Sequence, residues 1–311
     1  MEIKIHPIIL SLTILFVFSC TPSKEEQGQL TRKERAELKR QDSLALKVAV
    51  MPTLDCLPIF VAKECHLYEH FNVDVRLRRF NSQMDCDTAL IGGSVEGGMT
   101  DLFRKKRIEN KGVALDVATS TNGSWQLISN RVARLKKLSQ MGDKMVAMSR
   151  YSATDYLTDY AFKNVKTTDP VFRIQINDVN LRLRMLTNNE MDAAWLAEPQ
   201  ATVARIQNYP VLMDSKKENI SLGVIVFRKK SINNQYRQNQ VHKFINAYNL
   251  ACDSINKYGL EHYSSIISQY CLVDENIVPS IPKIKFSHAD KPKDGDLELT
   301  ENNKIVWIKR H

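Results

Sequence analysis

Several signatures of chemistry are missing from this chain. It has no C-x-x-C pair, no G-x-S-x-G, no H-E-x-x-H and no cysteine–histidine cluster at metal-ligand spacing. An enzyme needs an activated nucleophile or a metal constellation, and neither is legible here. His66 and His70 stand four residues apart beside Cys65, but this reads as a solvated helix end. No repeat of solenoid length occurs, which excludes a stacked-repeat architecture. No metal and no cofactor are therefore expected, and the chain does not read as an enzyme.

The longest apolar run, Ile8 to Phe18, falls short of the ~20 residues that span a bilayer. A short segment carrying Lys4 precedes it, and Ser19-Cys20 and then polar residues follow. This is the pattern of a secretory signal. An apolar core, a small residue and then cysteine resembles the bacterial lipoprotein cleavage box. Acylated Cys20 would become the new N-terminus and hold the chain on a lipid membrane, since several acyl chains anchor where one does not. The expected location is exported and lipid-anchored, on the periplasmic side or at the cell surface. Residues 21–45 are polar, charge-rich and free of aromatics, as a tether would be, with a helical stretch around Lys33 to Lys39.

The remaining length, with 43% hydrophobic and 25% charged residues over the 311, suits a folded protein of two lobes. The net charge is +9, with basic clusters at Arg76 to Arg79 and Arg104 to Arg107. Export and the lack of any nucleic-acid motif exclude nucleic acid as a partner. The clusters read as solvated lobe surfaces, or as attraction to an anionic membrane or ligand. Without Cys20, five cysteines remain, an odd number that cannot all pair in one chain. Cys252 and Cys271 are placed where they could join neighbouring helices.

Along the chain, strand and helix periods alternate. Leu46 to Met51 reads as a strand, and Pro58 suits the first turn of the helix after it. Val73, Val75 and Leu77 alternate with charged residues as a strand does. Asp87 to Gly92 reads as a short helix, and Gly97-Gly98-Met99-Thr100-Asp101 as a backbone-exposed turn. Strands are expected at 112–119, 144–148, 172–176, 191–196 and 223–227. A helix is expected from Ser152, whose S-x-x-D pattern matches a capping box. Others are expected over Val179 to Leu186 and along the face Val241, Phe244, Ile245, Tyr248, Cys252 and Ile255, with Gly259 past its end. Trp307 is expected to anchor a polar C-terminal segment.

Four blocks in order resemble the substrate-binding proteins of ABC importers for nitrate, sulfonates, taurine and the thiamine-pyrimidine precursor. They are Lys47–Lys63 with Asn72–Val75, Ser152–Leu157, Arg182–Pro199 and Leu222–Arg228. The resemblance implies an α/β, type II periplasmic-binding fold. It has two lobes, each a mixed, mainly parallel sheet flanked by helices, joined by two hinge crossings. Residues 1–20 would be the signal, 46–129 the first part of lobe 1, 130–222 lobe 2, and 223–311 the return to lobe 1. The crossings are expected near 125–130 and 222–227. The implied partners are a small-molecule ligand in the cleft and an ABC permease in the inner membrane. The alternatives are an enzyme on the same fold, of the pyrimidine-precursor or menaquinone-pathway type, or a surface lipoprotein without a transport role.

Ligands of open α/β sheets bind at the carboxyl ends of strands. Candidate ligand contacts just after strands are Thr53, Asp55, Ser82, Ser120, Asn122, Trp125, Arg150, Ser152, Thr154, Asn177 and Glu198. Arg150, Ser152 and Thr154 would form an anion cradle at a helix start. The rival arrangement is a flat ring against Trp125 with Asp55 or Glu198 binding its N–H. Ser152 could equally be only a helix cap, Trp125 and Trp195 core, and Asp55 and Glu198 loop caps.

Overall fold

The computed structural model describes residues 32–302, so Cys20 and Trp307 lie outside the described residues. The chain divides into two compact units, residues 1–44 and 45–311. In the first, helix α1 (Arg32–Leu44) carries Glu37, which accepts from Arg40 at 2.8 and 2.9 Å and from Gln41 at 3.1 Å. No helix among the described residues is long and apolar enough to cross a membrane.

The second unit holds two five-stranded mixed sheets. The chain first runs through β1 (Leu46–Val50), α2 (Leu57–Glu64), α3 (Leu67–His70), β2 (Val75–Arg79), α4 (Gln83–Gly92), β3 (Gly97–Asp101), α5 (Leu102–Asn110) and β4 (Leu115–Ser120). It crosses to β5 (Trp125–Ser129), β6 (Met145–Met148), α6 (Ala153–Phe162), β7 (Phe172–Gln175), α7 (Val179–Thr187), β8 (Ala193–Ala197), α8 (Gln200–Ile206) and β9 (Val211–Asp214). It then returns through β10 (Gly223–Arg228), α9 (Gln235–Tyr258), α10 (Ser264–Cys271) and α11 (Asp294–Asn302).

The two lobes share one plan. The strand orders are β2-β1-β3-β10-β4 and β7-β6-β8-β5-β9. In each, four strands run parallel, and the one in the fourth place, delivered by a crossing, is antiparallel to both its neighbours. The apolar runs account for this, because a strand covered on both faces need not alternate. In β8, Ala193 and Trp195 pack into one cluster and Ala194 and Leu196 into another. The face Phe244, Tyr248, Cys252, Ile255 of α9 is buried as expected, and Gly259 closes the helix at φ 81°.

Three expectations need correction. Gly97 to Asp101 is a buried central strand, not an exposed turn. A Cβ on Gly97 would lie 2.4 Å from the Phe227 ring, and one on Gly98 would lie 2.8 Å from the Ala49 Cβ. The glycines let neighbouring strands close in, which looks like turn chemistry in the sequence. Trp125–Ser129 and Gly223–Arg228 are sheet strands, so the crossings are the segments before them, 121–124 and 215–222. Thr121 N–H donates to the Gly223 carbonyl at 2.9 Å and Ser215 N–H to the Trp125 carbonyl at 2.9 Å, tying the crossings together. The second lobe thus takes up the chain at Trp125 rather than at residue 130. Cys252 and Cys271 form no bridge: Cys56, Cys65, Cys86, Cys252 and Cys271 are all free thiols.

Candidate ligand-binding cleft

Between the two sheets lies a cavity of about 780 Å³, open solvent included. The chain turns after β1, β6, β7 and β8 all reach it, because the carboxyl ends of these parallel strands face the gap between lobes. Of the residues singled out in the sequence, Thr53, Asp55, Asn122, Trp125, Ser152, Thr154, Asn177 and Glu198 line the cavity.

Position is not availability, and several of these side chains are already engaged. Ser152 Oγ donates to the Ser149 carbonyl at 2.6 Å and accepts from Thr154 N–H at 3.1 Å. Thr154 Oγ1 accepts from Ser149 N–H at 3.0 Å. These hydroxyls cap α6 and close its approach loop. Glu198 pairs with Arg205 at 2.7 Å and accepts from the Thr202 hydroxyl at 2.7 Å. Asn122 donates its amide to the Lys285 carbonyl at 2.8 Å. Asn177 lies 3.9 Å from the Met84 sulfur across the cleft.

Three candidates do not line the cavity. Ser82 immediately precedes α4, and its backbone bridges to Asp178 of the other lobe. Ser120 N–H and Oγ both donate to the Asp290 carbonyl, at 2.7 and 3.2 Å. Arg150 is exposed. The expected cradle at the start of α6 is filled by the protein's own oxygens, since the Asp101 carboxylate also accepts from Ala153 N–H there. A helix start is anion-seeking wherever it lies, but the sequence cannot show that a carboxylate from the other lobe reaches it first.

The most informative side chain escaped the sequence reading. Arg182, in the first turn of α7, lines the cavity and is 5% exposed. Its Nε and Nη1 have no hydrogen-bond partner among the described residues. Burial pushes its pKa down to about 10; nearby Arg104 adds to this and Asp178 opposes it. A signal was present: Arg182 stands three residues after Val179 and four before Leu186, on the buried stripe of its helix. Thr100, at the end of β3, also lines the cavity, and its buried hydroxyl has no hydrogen-bond partner among the described residues.

Asp55 sits on the opposite electrostatic footing. Its carboxylate accepts from Thr121 Oγ1 at 3.2 Å, from the Thr53 hydroxyl, and from its own N–H and that of Cys56. Burial raises its pKa, and no cation pairs with it among the described residues. Asp101 caps α5 by accepting from Arg104 N–H at 3.0 Å, and burial pushes its pKa up to about 6. Arg104 is itself buried and ion-paired with Asp87.

The lobes meet directly around the cavity. Leu54 N–H donates to the Glu198 carbonyl at 2.7 Å, and buried Gln200 donates to the Pro52 carbonyl at 2.8 Å. Arg107 lies over the Tyr151 ring at 4.3 Å. Among the described residues, no group of three or more His, Cys, Asp or Glu is placed to hold a metal ion.

No protein-family profile matches the sequence, and no curated protein matches it. Solved structures do match. The alkanesulfonate-binding protein SsuA of Xanthomonas axonopodis pv. citri, bound to MOPS, is 11% identical with a TM-score of 0.71, over 84% of this chain and 91% of that one. The periplasmic nitrate-binding protein NrtA of Synechocystis is 15% identical with a TM-score of 0.65, over 76% of this chain and 69% of that one. A Candida albicans protein with the generic periplasmic binding protein fold is 13% identical with a TM-score of 0.65, over 83% of this chain and 88% of that one. At such identities the likeness establishes the fold. The chain has the two-lobe periplasmic-binding-protein fold, the architecture implied by the four sequence blocks.

Proposed function

We propose that this chain is the solute-binding component of an ABC-type importer, and that it captures a small anionic molecule between its lobes. The observation that carries this is Arg182, a guanidinium kept in a cavity wall with Nε and Nη1 buried and without a hydrogen-bond partner among the described residues. An unmet buried charge costs several kcal/mol and is retained at sites of function. Arginine's planar fork suits a carboxylate, sulfonate or phosphate, and Thr100 adds a hydroxyl. Trp125 supplies a flat wall for the rest of the ligand, which favours a solute with a planar or compact apolar part. The signal at the N-terminus supports export and anchoring through acylated Cys20, with an inner-membrane permease as partner. A Cys20→Ser chain is then no longer labelled by palmitate analogues.

Native mass spectrometry of the gently purified protein identifies the solute. Titration calorimetry with that solute then compares wild type, Arg182→Met and, as an exposed control, Arg150→Ala. Two charged hydrogen bonds contribute about 3–6 kcal/mol together, so Arg182→Met weakens binding by roughly a hundredfold or more. Unchanged affinity in Arg182→Met refutes the anion reading.

A further inference from the structure

The parallel strands of the second lobe end at the cavity, so the loops that precede β6, β7, β8 and β9 lie at the opposite end of that lobe. These loops are residues 130–144, 163–171, 188–192 and 207–210. Hydrogen bonds tie them into one surface. Asn130 N–H donates to the Asp192 carbonyl at 2.7 Å, and Asp143 N–H to the Pro170 carbonyl at 3.1 Å. Arg131 Nη1 donates to the Gln207 carbonyl at 3.3 Å, and its guanidinium lies 5.7 Å from the Tyr209 ring.

This end is cationic. Seven lysines and arginines fall in these loops against four carboxylates, and five of the seven lie between Arg131 and Lys144. Two of the carboxylates are engaged elsewhere: Asp192 accepts from Met145 N–H at 2.9 Å and Glu190 from the Asn188 amide at 3.2 Å. None of the seven cations makes an ion pair among the described residues. Other surface cations do, as Arg40 with Glu37, Arg76 with Asp74 and Lys105 with Glu109 show.

The same end is also apolar. Val132 is 67% exposed, Phe172 49% and Ile206 48%, and Met145 and Val211, the first residues of β6 and β9, are exposed there too. Five of the fourteen large hydrophobic side chains exposed on the described residues therefore gather at one end of one lobe. Apolar side chains clustered in water and rimmed by charge mark an interaction surface.

We propose that this end of the second lobe docks on an anionic lipid bilayer, with its cations against lipid phosphates and its exposed apolar side chains in the headgroup boundary. A bilayer meets both features at once, because its phosphates attract the cations and its interface takes up apolar side chains. A nucleic acid would meet the charges and leave the apolar set in water. The cavity lies at the other end of the lobe, so docking does not cover it, and solute capture proceeds whether or not the lobe is docked.

The test places a tryptophan at the surface of the full-length protein, as Val132→Trp and separately as Phe172→Trp. Each is mixed with vesicles whose acyl chains are brominated near the headgroup, made of phosphatidylcholine alone or of phosphatidylcholine with phosphatidylglycerol. Wild type gives the background of the native tryptophans. The readout is local, so an anchor elsewhere in the chain does not imitate it. With phosphatidylglycerol the added fluorescence falls about twofold, as expected for a side chain at the headgroup boundary. It recovers in phosphatidylcholine alone, and at 1 M salt, where the screening length shrinks to about 3 Å. It recovers as well when Arg134→Glu, Lys136→Glu and Lys137→Glu are combined. All the substituted positions are exposed, and thermal unfolding checks that each variant folds. A tryptophan that stays bright at both positions in phosphatidylglycerol vesicles overturns the proposal and leaves the surface to a protein partner. Quenching that is equal in phosphatidylcholine, or that survives the triple charge reversal, overturns it too.

Discussion

Phe103 on α5 and Tyr156 on α6 stack across the cleft, with ring centroids 4.6 Å apart and planes 23° apart. Each belongs to a different lobe, and both rings are buried. Stacked aromatic pairs contribute about 0.5–1.5 kcal/mol beyond the area they bury. The contact exists only while the lobes are together, so it favours closure directly. Phe103→Ala is expected to shift the free protein toward an open form and to weaken ligand binding about tenfold. Small-angle scattering, which reads compaction of the two lobes, checks the first effect, and calorimetry checks the second.

Arg182→Met is expected to stabilise the ligand-free protein. Replacing an unmet buried charge by an apolar side chain of similar length removes a desolvation cost, a gain on the order of 1–4 kcal/mol. In a chain of this size each kcal/mol raises Tm by about 2–4 °C. Differential scanning calorimetry should show a higher Tm without ligand and no further rise when ligand is added. A lower Tm would mean that Arg182 supports the fold rather than the ligand.

Asp101 sets a pH dependence. Its folded pKa of about 6 lies above the ordinary 3.8, so the folded chain binds this proton more tightly than the unfolded chain does. The stabilisation is therefore fully present below about pH 4, declines as pH rises through 6, and is absent above. Over that window it amounts to about 3 kcal/mol at most. Asp101→Asn keeps a helix-capping side chain at the start of α5. Urea unfolding from pH 4 to 7 should show a shallower decline for Asp101→Asn than for wild type.

Gly97→Ala tests the central strand. Its new Cβ would meet the Phe227 ring at 2.4 Å and the Val226 carbonyl at 2.7 Å. The ring is in the core and the carbonyl is in the ladder, so neither yields freely. Overpacking of this kind typically costs about 1–3 kcal/mol. Urea denaturation should give a lower midpoint, whereas Gly112→Ala, where no atom lies within 4 Å of the new Cβ, is limited by its positive φ alone.

Much of the fold was legible because strand and helix periods are local properties. The run Leu46–Val50, the Pro58 helix start, the Ser152 cap and the α9 face each follow from a few neighbouring residues. The chain order of these elements, with four blocks at the expected spacing, was enough to imply two α/β lobes. The glycine-rich β3 was not legible, since Gly97 and Gly98 are glycines because of Phe227 and Ala49, far away in sequence. The crossings were displaced by a few residues for a related reason: β5 and β10 find their partners only in the assembled sheets.

The candidate site divides along the same line. The sequence alone determined which loops end at the cleft, because strand ends follow from local pattern, and that placed Thr53, Asp55, Trp125 and Glu198 on the cavity wall. Only the tertiary structure decided which of those groups are free to act. Ser152 and Thr154 are spent on a helix cap, Glu198 is taken by Arg205, and Arg150 points to solvent. Arg182 has two buried N–H groups without a partner among the described residues, a property of every atom around it rather than of its place in the chain. Whether a buried charge is satisfied depends on groups brought together from distant segments, and no local pattern records it.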